Sequence, residues 1–180
     1  IAAFGALLRV LFVAFGGLNW DWRPIIWAVA ILTMVVGAII GVTQTDVKRL
    51  LAYSSIAHAG FLLTAVGGAT VLTADSESSI LFYLAAYGFM TIGAFAIVTM
   101  VRDVDGEANH LSRWVGLGRR SPLVAGIFAF FLLAFAGLPP TSGLWAKVAV
   151  FKAAYEGGAA PLVIVGMLAS AVTAYYYVRI

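Results

Sequence analysis

PLVAGIFAFFLLAFAGLPPTSGLWAKVAVFKAAY, residues 122–155, is apolar at both ends and interrupted in the middle by Gly137, Pro139, Pro140 and Gly143. As one straight helix it would run about 50 Å at 1.5 Å per residue. A hydrocarbon core is only about 30 Å thick. The stretch is therefore either two spans joined by a tight turn or one span broken inside the membrane. Just past the break, Lys147 stands in the otherwise apolar run from Leu144 to Phe151. A break at that depth frees backbone carbonyls and half-helix ends, which is a common way to build an ion path. A lysine at mid-membrane costs about 2.5–3.5 kcal/mol on the insertion scale, and a desolvated lysine is suited to taking up and releasing a proton. The competing reading is that Lys147 snorkels to an interface. Lys152, nearer the end of the segment, is better placed to do so.

The composition fits this. Of 180 residues, 63% are hydrophobic and 11% charged, with a mean hydropathy of +1.02; a soluble domain carries about 25% charged residues. The expected fold class is all-α, a polytopic transmembrane bundle. The absence of Cys excludes disulfides, thiolate metal sites and iron–sulfur ligation in this chain, and two histidines, His58 and His110, are too few for a His-based haem or zinc site. There is no Gly-rich phosphate loop, no carboxylate pair and no nucleophile–base arrangement. A net charge of +3 reports orientation in a membrane chain rather than nucleic-acid binding. The chain does not begin with Met, and Ile1 opens inside an apolar run, so it reads as a piece of something longer. It lacks the order of a signal peptide.

About six spans are expected. Residues 1–17 form a first apolar run containing Arg9. In the polar stretch that follows, Trp20 and Trp22 suit the headgroup belt and Pro24 the first turn of the next helix. Residues 25–42, 50–72 and 80–101 make the next three spans. Thr45 is a plausible N-cap before the third. The loop at 73–79 is short and acidic. In the long polar segment 102–121, Leu111, Trp114, Val115 and Leu117 would give a short amphipathic helix one apolar stripe for the interface. The broken segment follows, then a last span from Pro161 to Tyr177.

Counting 122–155 as one crossing puts the loops at 43–49 and 102–121 on one side with six basic residues, and Arg179 joins them. The loops at 18–24, 73–79 and 156–160 share the other side and hold only Arg23. The positive-inside rule then makes 43–49 and 102–121 cytoplasmic.

After Lys147, His58 is the next candidate for chemistry, in the middle of the third span, where an imidazole suits proton exchange. Ser54 lies one turn earlier on its face, and Tyr53 and Ser55 add hydroxyls. A neutral core histidine bonded to a neighbouring helix is the bland alternative. Thr141 and Ser142, after the Pro139–Pro140 pair, can bond the carbonyls freed by the break or a water; structural satisfaction explains them as well. Tyr83, Tyr87 and Thr91 repeat every four residues on the fourth span, either lining a wet interior or packing between helices. Arg9 either pairs with a carboxylate outside the chain or snorkels. Lys48 and Arg49 read as anchors. Glu156 holds a proton at the far mouth or is a solvated loop acid. The residues together suggest movement of a small cation, most simply a proton, and no bond-breaking chemistry.

Two stretches resemble a known family. TQTDVKRLLAYSSIAHAGFLL (43–63) and RRSPLVAGIFAFFLLAFAGLPPTSGLWAKVAVF (119–151) are similar to the signatures of the antiporter-like membrane subunits of the proton-pumping NADH–quinone oxidoreductase, respiratory complex I. The superfamily also holds cation/proton antiporter complexes and membrane hydrogenases. The resemblance implies a fourteen-helix subunit with two inverted five-helix repeats. Residues 1–17 would be the last helix of the preceding repeat. Residues 25–180 would be the second repeat, with 122–155 its broken helix. It gives Lys147 the role of the family's proton site toward the periplasm and His58 that of a polar relay position, with Ser54, Thr141, Ser142, Pro139 and Pro140 in support. The family's first half-channel would lie before Ile1, so this piece would not pump alone. The resemblance further implies no cofactor in this chain; FMN and iron–sulfur clusters would sit in other subunits, with quinone as substrate of the complex. Its partners would be the other membrane subunits, neighbours of the M and K types among them, together with the lipid bilayer and no nucleic acid. The location would be the bacterial inner membrane, multi-pass. Two alternatives stand beside this: a subunit of a cation/proton antiporter complex, and a structural membrane scaffold in which Lys147 is merely paired.

Overall fold

The structure, a computed structural model, describes residues 2–69, 73–103 and 106–180. Among the described residues, four helices are long and apolar enough to cross a membrane. They are α2 (Asn19–Thr43, preceded by a 3₁₀ turn from Gly16), α3 (Val47–Gly68), α4 (Ala74–Met100) and α8 (Ala160–Arg179). Ahead of them, α1 (Ala2–Leu8) runs into a π-helical turn, Arg9–Ala14. The broken segment is α6 (Pro122–Ala136) and α7 (Ser142–Glu156), and a one-turn helix, α5 (Leu117–Arg120), precedes it. Residues 70–72 of the expected third span lie outside the described residues.

α3 is the centre. It packs against α2, α4, α7 and α8, and every residue from Gly60 to Gly68 is buried. A helix apolar all round is one enclosed on all sides. Its start is fixed by Asp46, whose carboxylate accepts from the backbone N–H of Arg49 at 2.9 Å. The expectation of Thr45 as cap is off by one residue, because Thr45 instead gives its carbonyl to Leu111 N–H at 2.8 Å.

Two further starts come earlier than hydropathy suggests. α2 begins at Asn19, so Pro24 sits inside the helix rather than in its first turn. Trp20 is exposed, as a belt residue would be. Trp22 is buried, set edge-on to Phe12 with its Nε1–H donated to the Phe15 carbonyl. The acidic stretch 73–79 is the first two turns of α4, not a loop. Thr73 and Ser76 close a reciprocal capping box there, and Asp75 and Glu77 complement the positive end of the helix dipole.

The broken segment crosses the bundle once. At one end of the bundle lie the end of α2, the start of α3, the end of α4 and the start of α6. Asn109 and Leu111 bond the backbone of Val47 and Thr45 there, and Arg179 donates to the carbonyls of Val42 and Gln44. This end gathers the basic residues of 43–49 and 102–121. At the opposite end, Gly68 lies against Ala154 and Gly157. α7 therefore continues in the direction of α6.

Segment 102–121 is not the single amphipathic helix expected. Arg102–Asp103 pairs with Gly106–Glu107, a 3₁₀ turn covers Leu111–Trp114, and Gly116, at a φ of +84°, separates it from α5. Trp114 is buried on Phe128, with its Nε1–H on the Ala108 carbonyl, whereas Val115 is exposed. The left-handed glycine breaks the helical phase, so the four apolar residues share no stripe.

Arg23 ties the opposite end together. Its guanidinium donates to the carbonyls of Gly67 (3.1 Å) and Gly68 (3.2 Å), the last of α3, and of Gly157 (3.4 Å), just past the end of α7. These orphan carbonyls have no partner within their own helices. Arg23→Met is expected to lower the thermal unfolding temperature of the full-length protein in detergent, with a loss of about 2 kcal/mol. An unchanged melting temperature would contradict the clamp.

Candidate functional site

The site is made by the break. Gly137 ends α6 with a φ of +79°, and its N–H and that of Leu138 turn back onto Leu133 and Ala134. That region is open to glycine at no steric cost. The chain then passes the cis Pro139–Pro140 bond and re-enters helix at Ser142. Gly143 is pressed so closely on α6 that a Cβ would lie 1.7 Å from the Ala134 carbonyl oxygen. The stub of α6 and the first turn of α7 therefore touch backbone to backbone, and Lys147 follows one turn later.

Lys147 is buried, with 5% of its surface exposed. Its ammonium donates to the carbonyls of Phe135 (2.9 Å) and Ala136 (3.0 Å) and to Ser170 Oγ on α8 (2.9 Å). All three N–H donors are thus used. The two carbonyls are ones that the end of α6 leaves unpaired, at the negative end of its dipole. The Phe61 ring lies 5.2 Å from Nζ, close enough for a cation–π contact. The lysine is held as a cap on the broken helix and does not reach an interface. Lys152 is exposed and pairs with Glu156 at 3.7 Å, so Glu156 is a solvated surface acid.

His58, 1% exposed, makes its own set of hydrogen bonds. Its Nδ1 lies 2.6 Å from the Tyr83 hydroxyl and its Nε2 3.2 Å from that of Tyr177, which meets Ser54 Oγ. Ser54, Tyr177, His58 and Tyr83 form one hydrogen-bonded chain across α3, α8 and α4. Each member can both donate and accept, so the chain can reverse its direction as a proton passes. Tyr87 stacks on the imidazole at 4.7 Å and donates to Ser55 Oγ at 2.8 Å. Among the described residues no hydrogen bond joins Lys147 to His58. The Phe61 and Phe135 rings stand edge-on to the imidazole, while the same Phe61 ring and the Phe135 carbonyl face the lysine.

The residues expected to support the site divide. Ser54 is in the His58 chain. Thr141 is buried but bonds the Leu138 carbonyl at 2.6 Å, closing the turn. Ser142 is exposed on the first turn of α7, as are Pro139 and Pro140 in the connection. These four shape the break and do not meet the ammonium. Arg9 is exposed on the π-helical turn. The sequence reading passed over Ser170 and Tyr177. Ser170 carried a signal, as the lone hydroxyl between Leu162 and Val172 in an apolar span.

The fold and the site define an integral membrane helix bundle in which a buried lysine caps a broken, once-crossing helix. The chain belongs to the family described as NADH:quinone oxidoreductase/Mrp antiporter, TM, which matches residues 1–173. It is 83% identical over all 180 residues to NADH-quinone oxidoreductase subunit N of Acidothermus cellulolyticus, covering 34% of that protein. It is 66% identical, again over its whole length, to subunit N 3 of Streptomyces griseus, covering 32%. The wording YSSIAHAGFLL and a lysine rather than a glutamate at 147 point the same way, to the N type. The chain spans about a third of the length of the curated relatives it matches. Among solved structures, it resembles a chain of respiratory complex I from Thermus thermophilus with bound Aureothin (TM-score 0.74, 35% identity, 86% of this chain and 34% of that one). It also resembles a chain of the archaeal membrane-bound sulfane sulfur reductase (TM-score 0.78, 28% identity, 87% and 31%).

Proposed function

We propose that this chain is the Lys147-bearing part of a subunit N-type protein that moves protons across the bacterial inner membrane within NADH:quinone oxidoreductase. The observation that carries the reading is a lysine buried in the bundle with all three donors engaged at a helix break. An interfacial anchor would leave the ammonium in water, whereas a proton site needs a group that can hold a charge out of water and give it up. Moving one proton against 100 mV costs about 2.3 kcal/mol. In this reading that energy comes from electron transfer in other subunits, which carry FMN and the iron–sulfur clusters and reduce quinone. Membrane subunits of the M and K types flank this one. Residues 25–180 form its second five-helix repeat, and the basic end with loops 43–49 and 102–121 faces the cytoplasm.

The family shares its fold with Mrp-type antiporters, so a cation/proton antiporter subunit is the second reading. Inverted membrane vesicles carrying the full-length protein in its complex separate the two. The proposal expects the lumen to acidify on addition of NADH, with no sodium-for-proton exchange in its absence. Exchange without NADH, and no NADH-driven acidification dependent on the protein, would favour the antiporter.

A further inference from the structure

We propose that Ser170 is the relay through which Lys147 exchanges its proton, an inference that rests on the reading of Lys147 given above. The lysine's three hydrogen bonds are not chemically equivalent. The carbonyls of Phe135 and Ala136 accept a hydrogen bond but hold no proton to pass on. Ser170 Oγ, at 2.9 Å, accepts from Nζ and has an O–H of its own to donate. It is the only protic side chain bonded to the ammonium among the described residues.

Burial places it at a boundary. Lys147 is enclosed, while Ser170 is half-buried on α8, between the buried Ala169 and Thr173 and the exposed Met167 and Leu168. The hydroxyl thus joins an enclosed charge to the flank of the bundle. Neither neighbouring route competes. The way to His58 is crossed by the Phe61 and Phe135 rings, with no hydrogen bond between the two sites. The way along α8 stops at Thr173, whose hydroxyl is donated to the Ser170 carbonyl at 2.8 Å.

The step balances without any redox partner. One N–H bond of the Lys147 ammonium breaks as its proton moves to Ser170 Oγ, and the serine's original O–H proton moves to a protic acceptor, an enclosed water or a polar side chain, that the full-length complex places against Ser170. Lys147 is left as the neutral amine, Ser170 is unchanged, and the acceptor carries the proton on. Uptake is the reverse.

The test uses the full-length subunit in its native complex, with assembly checked on a native gel. Ser170→Ala is expected to slow NADH-driven proton uptake about tenfold, the effect of losing one hydrogen bond to a charged group. The pH profile of uptake should shift, and the solvent deuterium isotope effect should change. Ser170→Thr, which keeps the hydroxyl, should restore uptake to within about twofold with the original pH profile. An assembled Ser170→Ala complex that pumps normally with an unchanged pH profile overturns the relay. So does a Thr variant that assembles yet is as slow as Ala, since packing and not the hydroxyl would then be at stake. A Lys147→Met control separates the two claims. If it stops uptake while Ser170→Ala does not, only the relay fails; if neither variant alters uptake, the reading of Lys147 fails with it.

Discussion

Gly143→Ala is expected to prevent the full-length protein from assembling into its complex, because the added methyl has nowhere to go. Its carbon would lie 1.7 Å from the Ala134 carbonyl oxygen and 2.8 Å from the Ala134 carbonyl carbon. Those are backbone atoms of the last turn of α6, and no rotamer change relieves them. The same carbonyl accepts the Gly137 N–H that terminates α6, so displacing it loosens the left-handed turn as well. Overpacking of this kind costs about 3 kcal/mol, and here it falls one turn before Lys147. A shift of α7 by even a fraction of an ångström would lengthen the bonds from Nζ to Phe135 and Ala136. The variant should give little assembled complex on a native gel and a lower unfolding temperature for what does assemble. Wild-type assembly and stability would show that the two half-helices do not meet as described.

Lys147→Met has the other large effect, on activity and not on folding. Methionine nearly matches the length of the lysine stem and removes the charge whose burial is costly. The carbonyls of Phe135 and Ala136 and the Ser170 hydroxyl lose a donor, and each unpaired buried acceptor costs about 1–3 kcal/mol. Replacing a buried charge by an apolar group of similar volume is often near neutral overall, so these terms oppose and the complex should assemble. What cannot be replaced is a group that binds and releases a proton. Loss of a positioned proton carrier is expected to slow translocation about a hundredfold.

The break was legible because its causes are local. Gly137 in the left-handed region, two prolines and a second glycine interrupt a run too long for one straight span. The single crossing was legible mainly from length, since 122–136 and 144–155 are each short for a span; charge added only Arg179, which does lie at the end of the bundle that gathers the basic residues of 43–49 and 102–121. Lys147 announced itself as the one charge in an apolar stretch. The rest depends on how helices are rotated against one another, which no single helix encodes. Ser170 meets the ammonium because of the phase of α8 relative to α7, and Tyr177 reaches His58 for the same reason. Thr141 and Ser142 sit beside the lysine in sequence yet turn away from it. The segment 102–121 misled because hydrophobic spacing assumes an unbroken helix, and Gly116 breaks it.

The central claim is that Lys147 carries the translocated proton. The most direct test is to replace it by Met in the full-length subunit, in its native membrane, and to record NADH-driven quinone reduction and proton uptake together on complex shown to be assembled. The account predicts that both fall, because electron transfer and charge movement are coupled through this site. Normal assembly with normal quinone reduction and normal proton uptake would contradict it, and would make the lysine a structural cap on a broken helix.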